Sequence, residues 1–378
     1  MSGPIQIIPV VGAAMLERFI RVPMRINAKD PAWISPLLFE RREALSAKKN
    51  PFFQHAEVQF WLAVRDGVDV GRISAQIDSL AKPDPAGPTG HFGMIVAEDD
   101  PEIFAALFAT AEDWLRARGK TRAMGPFNLS INEEAGLLVA GHDTPPFVMM
   151  PHDPAYAQAH VEALGYVKAK DLLPYFTPVP DFSPAVRKRL NRPLPKGVVL
   201  RPVDMRRFEA EVNSLVEIYN DAWADNWGSV PITKAETKFL KESLGFLLKP
   251  GSIWFLEIDG EAAAFGVVIP DLNDLIRDLN GKLFPFGWAK LLWRLKVGPM
   301  TRGRVPLMGV KRKFAKDPRG IMAPFHVMDA MLTIVKKYGN RECECGWILE
   351  DNRPMRHIME HLGGTPYKTY RIYEKALA

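Results

Sequence analysis

Two carboxylates flank an otherwise apolar run, Glu344-Cys-Gly-Trp-Ile-Leu-Glu350. The run is expected to lie on a strand, Cys343 to Glu350. Residues an even number apart then share a face, so Glu344 and Glu350 point the same way. An acidic side chain inside an apolar strand is costly to bury unless it has chemical work or a charged partner. Both readings of Glu344 stay open: a group that handles a proton, or one half of an ion pair with Lys311 or Arg371. A second set of residues is basic. Arg312, Lys316 and Arg319 precede Gly320 and a helix expected from Ala323, a placement compatible with an anionic ligand or with a solvated basic loop. His326, near the start of that helix, is structural or close to reacting atoms.

The elements that must position these groups follow from periodicity. In the second half, Val198 to Pro202 reads as a strand, Phe208 to Trp223 as a helix and Ile253 to Ile269 as a hairpin. Pro306 to Phe314 reads as the next strand. Ala323 to Tyr338 is a helix with Phe325, Met328, Leu332 and Val335 on one face. After the strand that carries Glu344, Pro354 to Leu362 is a short helix capped by Asn352. Tyr367 to Lys375 is expected to close the second sheet. The first half repeats this order, with a helix from Pro101 to Arg118.

Landmarks recur at fixed offsets, which points to a duplication. Ile8-Pro9-Val10 returns as Arg201-Pro202-Val203, and Trp61 to Asp66-Gly67 returns as Trp254 to Asp259-Gly260, both 193 residues later. Asp-Gly is a tight hairpin turn in each copy. The helix-ending Gly119 and Gly339 are 220 apart, so the second copy carries 27 extra residues (220 minus 193) before that point. Gly165 and Gly363 are 198 apart, so the first copy carries 22 extra (220 minus 198) after its third helix. Two domains are expected, 1–178 and 196–378, the second with an insertion at 271–300. Pro174 to Pro195, rich in proline and basic residues, reads as the linker.

Composition narrows the classes. A net charge of +5, with no basic run interleaved with aromatics, gives no footprint for nucleic acid. Two cysteines at i and i+2, Cys343 and Cys345, sit badly for a disulfide and lack further metal ligands. So few cysteines fit a reducing compartment. The start, MSGPIQIIPV, lacks signal-peptide features, and no apolar run approaches a membrane span. A cytoplasmic protein is expected, with peripheral contact at the inner membrane surface left open. No metal and no permanently bound cofactor are expected.

The element order, with Glu350-Asp-Asn-Arg-Pro before a short helix ending in Leu-Gly, resembles the GNAT superfamily of N-acyltransferases. The resemblance implies two tandem mixed α/β folds. In that fold the fourth and fifth strands splay apart, and the pantetheine of coenzyme A adds to the gap like a strand. The pyrophosphate sits on the N-terminus of the third helix. The family's loop there is Arg/Gln-x-x-Gly-x-Gly/Ala. Lys316-Asp-Pro-Arg319-Gly320-Ile-Met-Ala323 departs from it: Gly320 fits, and Ala323 comes one place late. Arg312, Lys316 and Arg319 are then the phosphate contacts. The first copy has Glu98-Asp99-Asp100 where phosphates would bind, which implies a degenerate copy. Met359 stands where many members carry a tyrosine general acid, so Tyr370 and Tyr373 are the alternatives.

Three further segments, Asn226-Trp-Gly-Ser-Val-Pro231, Glu344 to Asn352 and Tyr367 to Glu374, are similar to a bacterial group of tandem GNAT proteins. So are Gly125-Pro-Phe-Asn128 and Pro145 to Met150. Bacterial ceramide synthases are similar to this group. That implies a long-chain acyl-CoA as co-substrate and the amine of a sphingoid base, 3-ketosphinganine or sphinganine, as acceptor. Amine attack on a thioester needs a base, an oxyanion donor and a proton for the leaving thiolate. The implied roles are Glu344, Glu350 and Tyr370 for proton transfer, and a backbone N–H near Gly309 or Val310 for the oxyanion. Asn226, Trp227, Trp347 and Asn352 fall to the acceptor, with Asn128 and Asn132 as further candidates in the first half.

The insertion contains Phe284, Trp288, Leu291, Leu292 and Leu295 on one helical face. Phe286 and Trp293 lie off it, and Lys290 and Arg294 flank it. One apolar face suits packing; aromatics off that face suit a membrane surface or a lipid chain. Two other functions stay open: acetylation of a small or protein amine, and a catalytically inactive lipid-binding GNAT fold.

Overall fold

The computed structural model describes residues 3–178, 182–248, 250–298 and 301–377. The chain forms two compact mixed α/β units. The first contains residues 1–172, 276–283 and 368–378; the second contains 173–275 and 284–367.

In the first unit the sheet order is Gln6–Pro9, Ala56–Arg65, Val68–Asp78, Thr89–Ala97, Arg122–Gly125, Thr369–Ala376 and the first part of Val167–Pro178. In the second it is the last part of Val167–Pro178, Glu342–Leu349, Arg302–Val310, Glu261–Pro270, Ile253–Ile258 and Val198–Pro202. Two expectations change here. The last strand of the chain pairs antiparallel with Arg122–Gly125 and belongs to the first unit, not the second. The start of the expected linker is strand: Tyr175 is fully buried, and Phe176 pairs with Thr365. The linker's remainder holds a short helix, Pro184–Leu190, and residues 179–181 lie outside the described residues.

The repeat is visible in strand register. Pro9 pairs with Trp61 in the first unit, and Pro202 with Trp254 in the second. Both Asp-Gly turns have φ positive at both residues, 51° and 78° at Asp66-Gly67 and 51° and 81° at Asp259-Gly260. That is the turn whose twist suits a tight hairpin.

Each unit has its own core. The first packs Phe104, Leu107, Phe108, Ala111 and Leu115 of helix Pro101–Arg116 onto the sheet. Asp100 caps that helix by accepting from Glu102 N. The second packs Val327, Met328, Met331, Leu332 and Val335 of helix Ala323–Lys337 onto its sheet. The opposite face of the second sheet carries helix Phe208–Ala222: a Cβ on Gly309 would meet Ala222, and one on Gly266 would meet Val327 and Met331.

Candidate active site in the second unit

Strands Arg302–Val310 and Glu342–Leu349 run parallel and pair only from Arg302↔Glu342 to Val305↔Cys345. Beyond that point they part, leaving a gap flanked by residues 306–310 and 346–349. The strand starts at Arg302, four residues before its expected start, and Arg312–Phe314 is a turn of 3-10 helix.

A bulge sets which amides face the gap. Val267 pairs with Leu307 and Ile269 with Arg304, so one extra residue lies in the strand beside Pro306, which has no N–H to donate. After the bulge, Lys311 N donates to Ala263 O at 2.8 Å. Consecutive amides of a strand point to opposite edges. Gly309 N–H therefore points into the hairpin ladder, while Met308 and Val310 present theirs to the gap side. Of the two residues expected near the oxyanion, the geometry retains Val310.

Glu344 has no solvent exposure and meets Arg304, which is 3% exposed. The separation from Arg304 Nε to Glu344 Oε1 is 2.9 Å, at an angle poor for hydrogen bonding. Arg304 Nη2 donates to Gly346 O at 2.9 Å. The other carboxylate oxygen of Glu344 accepts from the Tyr367 hydroxyl. The ion pair expected with Lys311 or Arg371 is thus made with Arg304 instead. Lys311 pairs with Glu217 and Glu261, and Arg371 with Asp171. Neither Arg304 nor Tyr367 was among the expected site residues. Arg304 fell outside the expected strand, and Tyr367 was placed at the start of the closing strand without a role.

Glu350 does not join this group. Gly346 takes φ +119°, a conformation that favours glycine and breaks the alternation of the strand. Before it, Cys343 and Cys345 face the helix Ala323–Lys337 side; after it, Ile348 does. Trp347 instead meets Trp223 on the helix Phe208–Ala222 side, ring centroids 6.4 Å apart. Glu350 follows the strand in a turn, where its carbonyl accepts from Arg356 Nη1 at 2.7 Å. Glu344 and Glu350, though evenly spaced, do not share a face, because the strand turns at Gly346.

Tyr370 and Tyr373 lie in the first unit, fully buried. The Tyr370 hydroxyl donates to Pro151 O at 3.0 Å and Tyr373 to Glu162 Oε1 at 2.9 Å. Burial pushes the Tyr373 hydroxyl up from its ordinary value, and Glu162 adds to the rise. Both tyrosines have structural partners.

The basic loop is largely self-neutralised. Arg312 pairs with Asp225 at 2.7 Å and with Asp221 at 3.4 Å. Arg319 pairs with Asp259 at 2.7 Å and with Asp317 at 2.9 Å. Lys316 is exposed. Gly320 is buried, and a Cβ there would lie 2.0 Å from Phe314 O, so packing explains the glycine. Helix Ala323–Lys337 begins with no side-chain cap; Pro324 has no N–H, and His326 N donates to Met322 O at 3.1 Å. His326 sits one turn in, half-buried, its basicity lowered by burial.

Asn226 and Trp227 are half-buried in the turn after helix Phe208–Ala222. Trp223, at the end of that helix, links Tyr219 (4.8 Å) to the strand through Trp347. Asn352 caps helix Arg353–His361 by accepting from Met355 N at 3.2 Å, which gives its side chain a structural task. Cys343 and Cys345 are free thiols, and hydrogen bonding to Cys345 together with burial pushes the Cys343 thiol up. Among the described residues no group of three or more His, Cys, Asp or Glu is placed to hold a metal ion.

The corresponding gap in the first unit is filled from within. Strand Thr89–Ala97 pairs with Arg122–Gly125 only from Thr89 to His91. Beyond it, Asn128 Oδ1 accepts from Met94 N at 2.7 Å, and Asn128 Nδ2 donates to Glu134 at 3.0 Å. Asn132 lies on the same loop, its N donating to Ser130 Oγ at 3.2 Å. A side chain thus occupies part of this gap, at Met94 N.

Splayed parallel strands, repeated in both units, are the architecture of tandem GNAT folds. The chain aligns with the tandem GNAT protein of the clavulanic acid biosynthesis pathway over 99% of both chains, at TM-score 0.56 and 13% identity. It aligns with a GNAT-family N-acetyltransferase from Sphaerobacter thermophilus over 98% of this chain and 96% of the other, at TM-score 0.53 and 13% identity. These likenesses show the fold. The sequence decides further: it is 57% identical to the bacterial ceramide synthase of Caulobacter vibrioides over 100% of this chain and 98% of that one. The chain belongs to the bacterial ceramide synthase family. It is also 45% identical to protein YghO of Escherichia coli K12, over 96% of this chain and 93% of the other. No family model matches the chain. Bacterial ceramide synthase relatives and tandem GNAT folds both agree with the family and fold expected from sequence.

Proposed function

We propose that the chain transfers a long-chain acyl group from an acyl-CoA thioester to the amine of a sphingoid base, 3-ketosphinganine or sphinganine. The full-length relationship to a bacterial ceramide synthase carries this reading, and the open strand gap of the second unit supports it. The pantetheine lies in that gap, and the uncapped start of helix Ala323–Lys337 with Lys316 takes the pyrophosphate. Arg312 and Arg319 reach an anion only by exchanging their aspartate partners.

Chemistry centres on the gap. The amine attacks the thioester carbon, the carbonyl oxygen becomes an oxyanion, and Val310 N–H stabilises it. The tetrahedral intermediate breaks its C–S bond. The Tyr367 hydroxyl gives its proton to the leaving thiolate and regains one from the attacking nitrogen by way of Glu344, so no proton is gained or lost overall. Arg304 orients Glu344 through their ion pair. Glu344, expected as a base acting directly or through water, takes the nitrogen's proton in this scheme and passes it to Tyr367. Trp223, Trp227, Trp347 and Asn226 shape the acceptor side.

Incubation with mixed acyl-CoAs and each sphingoid base, followed by mass spectrometry, tests the reading. N-acyl sphingoid products favouring long chains are expected; acetyl transfer alone would replace the long-chain donor. Val310→Pro tests the oxyanion assignment. That amide faces the gap, so its loss leaves the hairpin ladder whole, and turnover should fall about 10²–10³-fold. A normal rate in a folded Val310→Pro protein would move the donor elsewhere.

A further inference from the structure

The insertion presents an apolar surface that the reaction does not explain. Helix Gly287–Lys296 buries Leu291 and Leu295, and Arg294 Nη1 donates to Leu275 O at 2.5 Å. These contacts anchor one side of the helix. The other side and its flanks expose Phe284, Phe286, Trp288, Leu292, Trp293 and Val297 to between 45% and 81%. The expected packed face thus holds only two of its five members. Scattered single apolar residues on a surface are ordinary; six within fourteen residues form a patch that marks an interaction.

We propose that residues 284–297 dock the protein on an anionic lipid bilayer. Two observations select that occupant. Phe, Trp and Leu on the outer side of a short helix suit the headgroup boundary, where an amphipathic aromatic has one end apolar and the other wet. Residues 279–298 also contain Lys282, Lys290, Arg294 and Lys296 and no acidic residue, which favours a negative surface. A second copy fits less well, because a two-fold interface sets the same patch against itself and brings these cations together. The inference rests on exposure and charge and stands apart from the identity of the acyl acceptor.

Among the described residues no helix is long and apolar enough to cross a membrane, so the contact is peripheral. Docking would deliver the protein to the layer in which a two-chain product resides.

The test is flotation of the full chain with phosphatidylcholine vesicles, with and without phosphatidylglycerol, alongside the triple variant Trp288→Ser, Leu292→Ser, Trp293→Ser. The wild type should float with the anionic vesicles, with a blue shift of tryptophan emission, and less with neutral ones or at high salt. The triple variant should bind about tenfold less or weaker, with an unchanged circular dichroism spectrum. Its turnover of a sphingoid base presented in detergent should equal that of the wild type. Equal flotation of variant and wild type would overturn the proposal. So would self-association of the wild type without vesicle binding, lost in the variant, which assigns the face to a second copy. Vesicle binding by a protein that forms no N-acyl product would instead overturn the reaction and leave the docking face standing.

Discussion

Tyr367→Phe is expected to lower kcat by about 10²–10⁴-fold, the range for loss of a positioned acid-base group. Acyl-CoA affinity, measured by calorimetry, should stay close to wild type. The hydroxyl contacts Glu344, and the ring keeps its place beside Phe176, with centroids 5.7 Å apart. Removing one oxygen therefore changes proton transfer more than packing. A merely structural tyrosine would also lose activity if the site loosened, so the leaving group supplies the second measurement. A thioester whose thiol has a lower pKa needs less protonation as it departs. It should recover most of the lost rate in Tyr367→Phe and gain little in the wild type. Equal deficits with both thioesters would exclude the tyrosine as the acid.

Arg304→Met should destabilise the protein by about 3–5 kcal/mol, because it leaves the Glu344 carboxylate buried without its countercharge. Both side chains are almost completely enclosed, so solvent screening offers little relief. Glu344→Met should cost a similar amount by leaving the guanidinium. The double variant should recover most of the loss, since an apolar pair of similar volume avoids the desolvation of two charges. Denaturant unfolding of the four proteins gives the coupling. Penalties that simply add would show that the two residues do not act as a pair. The same four proteins separate stability from chemistry. The double variant should stay inactive despite its recovered fold, because Tyr367 has lost the carboxylate that returns its proton.

Local pattern carried much of the fold. Asp66-Gly67 and Asp259-Gly260 announce their turns by composition, and glycine and aspartate are what that backbone requires. Asn352 ahead of Pro354 announces a helix start for a similarly local reason. The site was legible in part. Glu344 stood out because a charge in an apolar strand needs a partner. The partner itself was hidden, since Arg304 reaches it through parallel strand pairing, which no local pattern encodes. Tyr367 comes from 23 residues further along the chain, and its neighbour Tyr370 was favoured instead. The two-residue period of the strands is broken at two backbone irregularities. Gly346 turned the face of the strand, so Glu350 parted from Glu344. The bulge beside Pro306 shifted the amide parity, so Val310 rather than Gly309 presents its N–H to the gap. Long-range pairing and local backbone irregularity account for most of what sequence missed.

The placement of the last strand has a consequence for how such proteins can be cut and recombined. Thr369–Ala376 completes the sheet of the N-terminal unit, and the end of Val167–Pro178 lies in the sheet of the C-terminal one. Severing the chain near residue 195 gives two fragments that each lack a strand and expose a sheet edge, a template for aggregation. Neither repeat is a portable module. Grafting a foreign first repeat onto this second repeat would have to carry the C-terminal strand along with it. The duplication that built the protein is therefore no longer divisible: each repeat has become part of the other's scaffold.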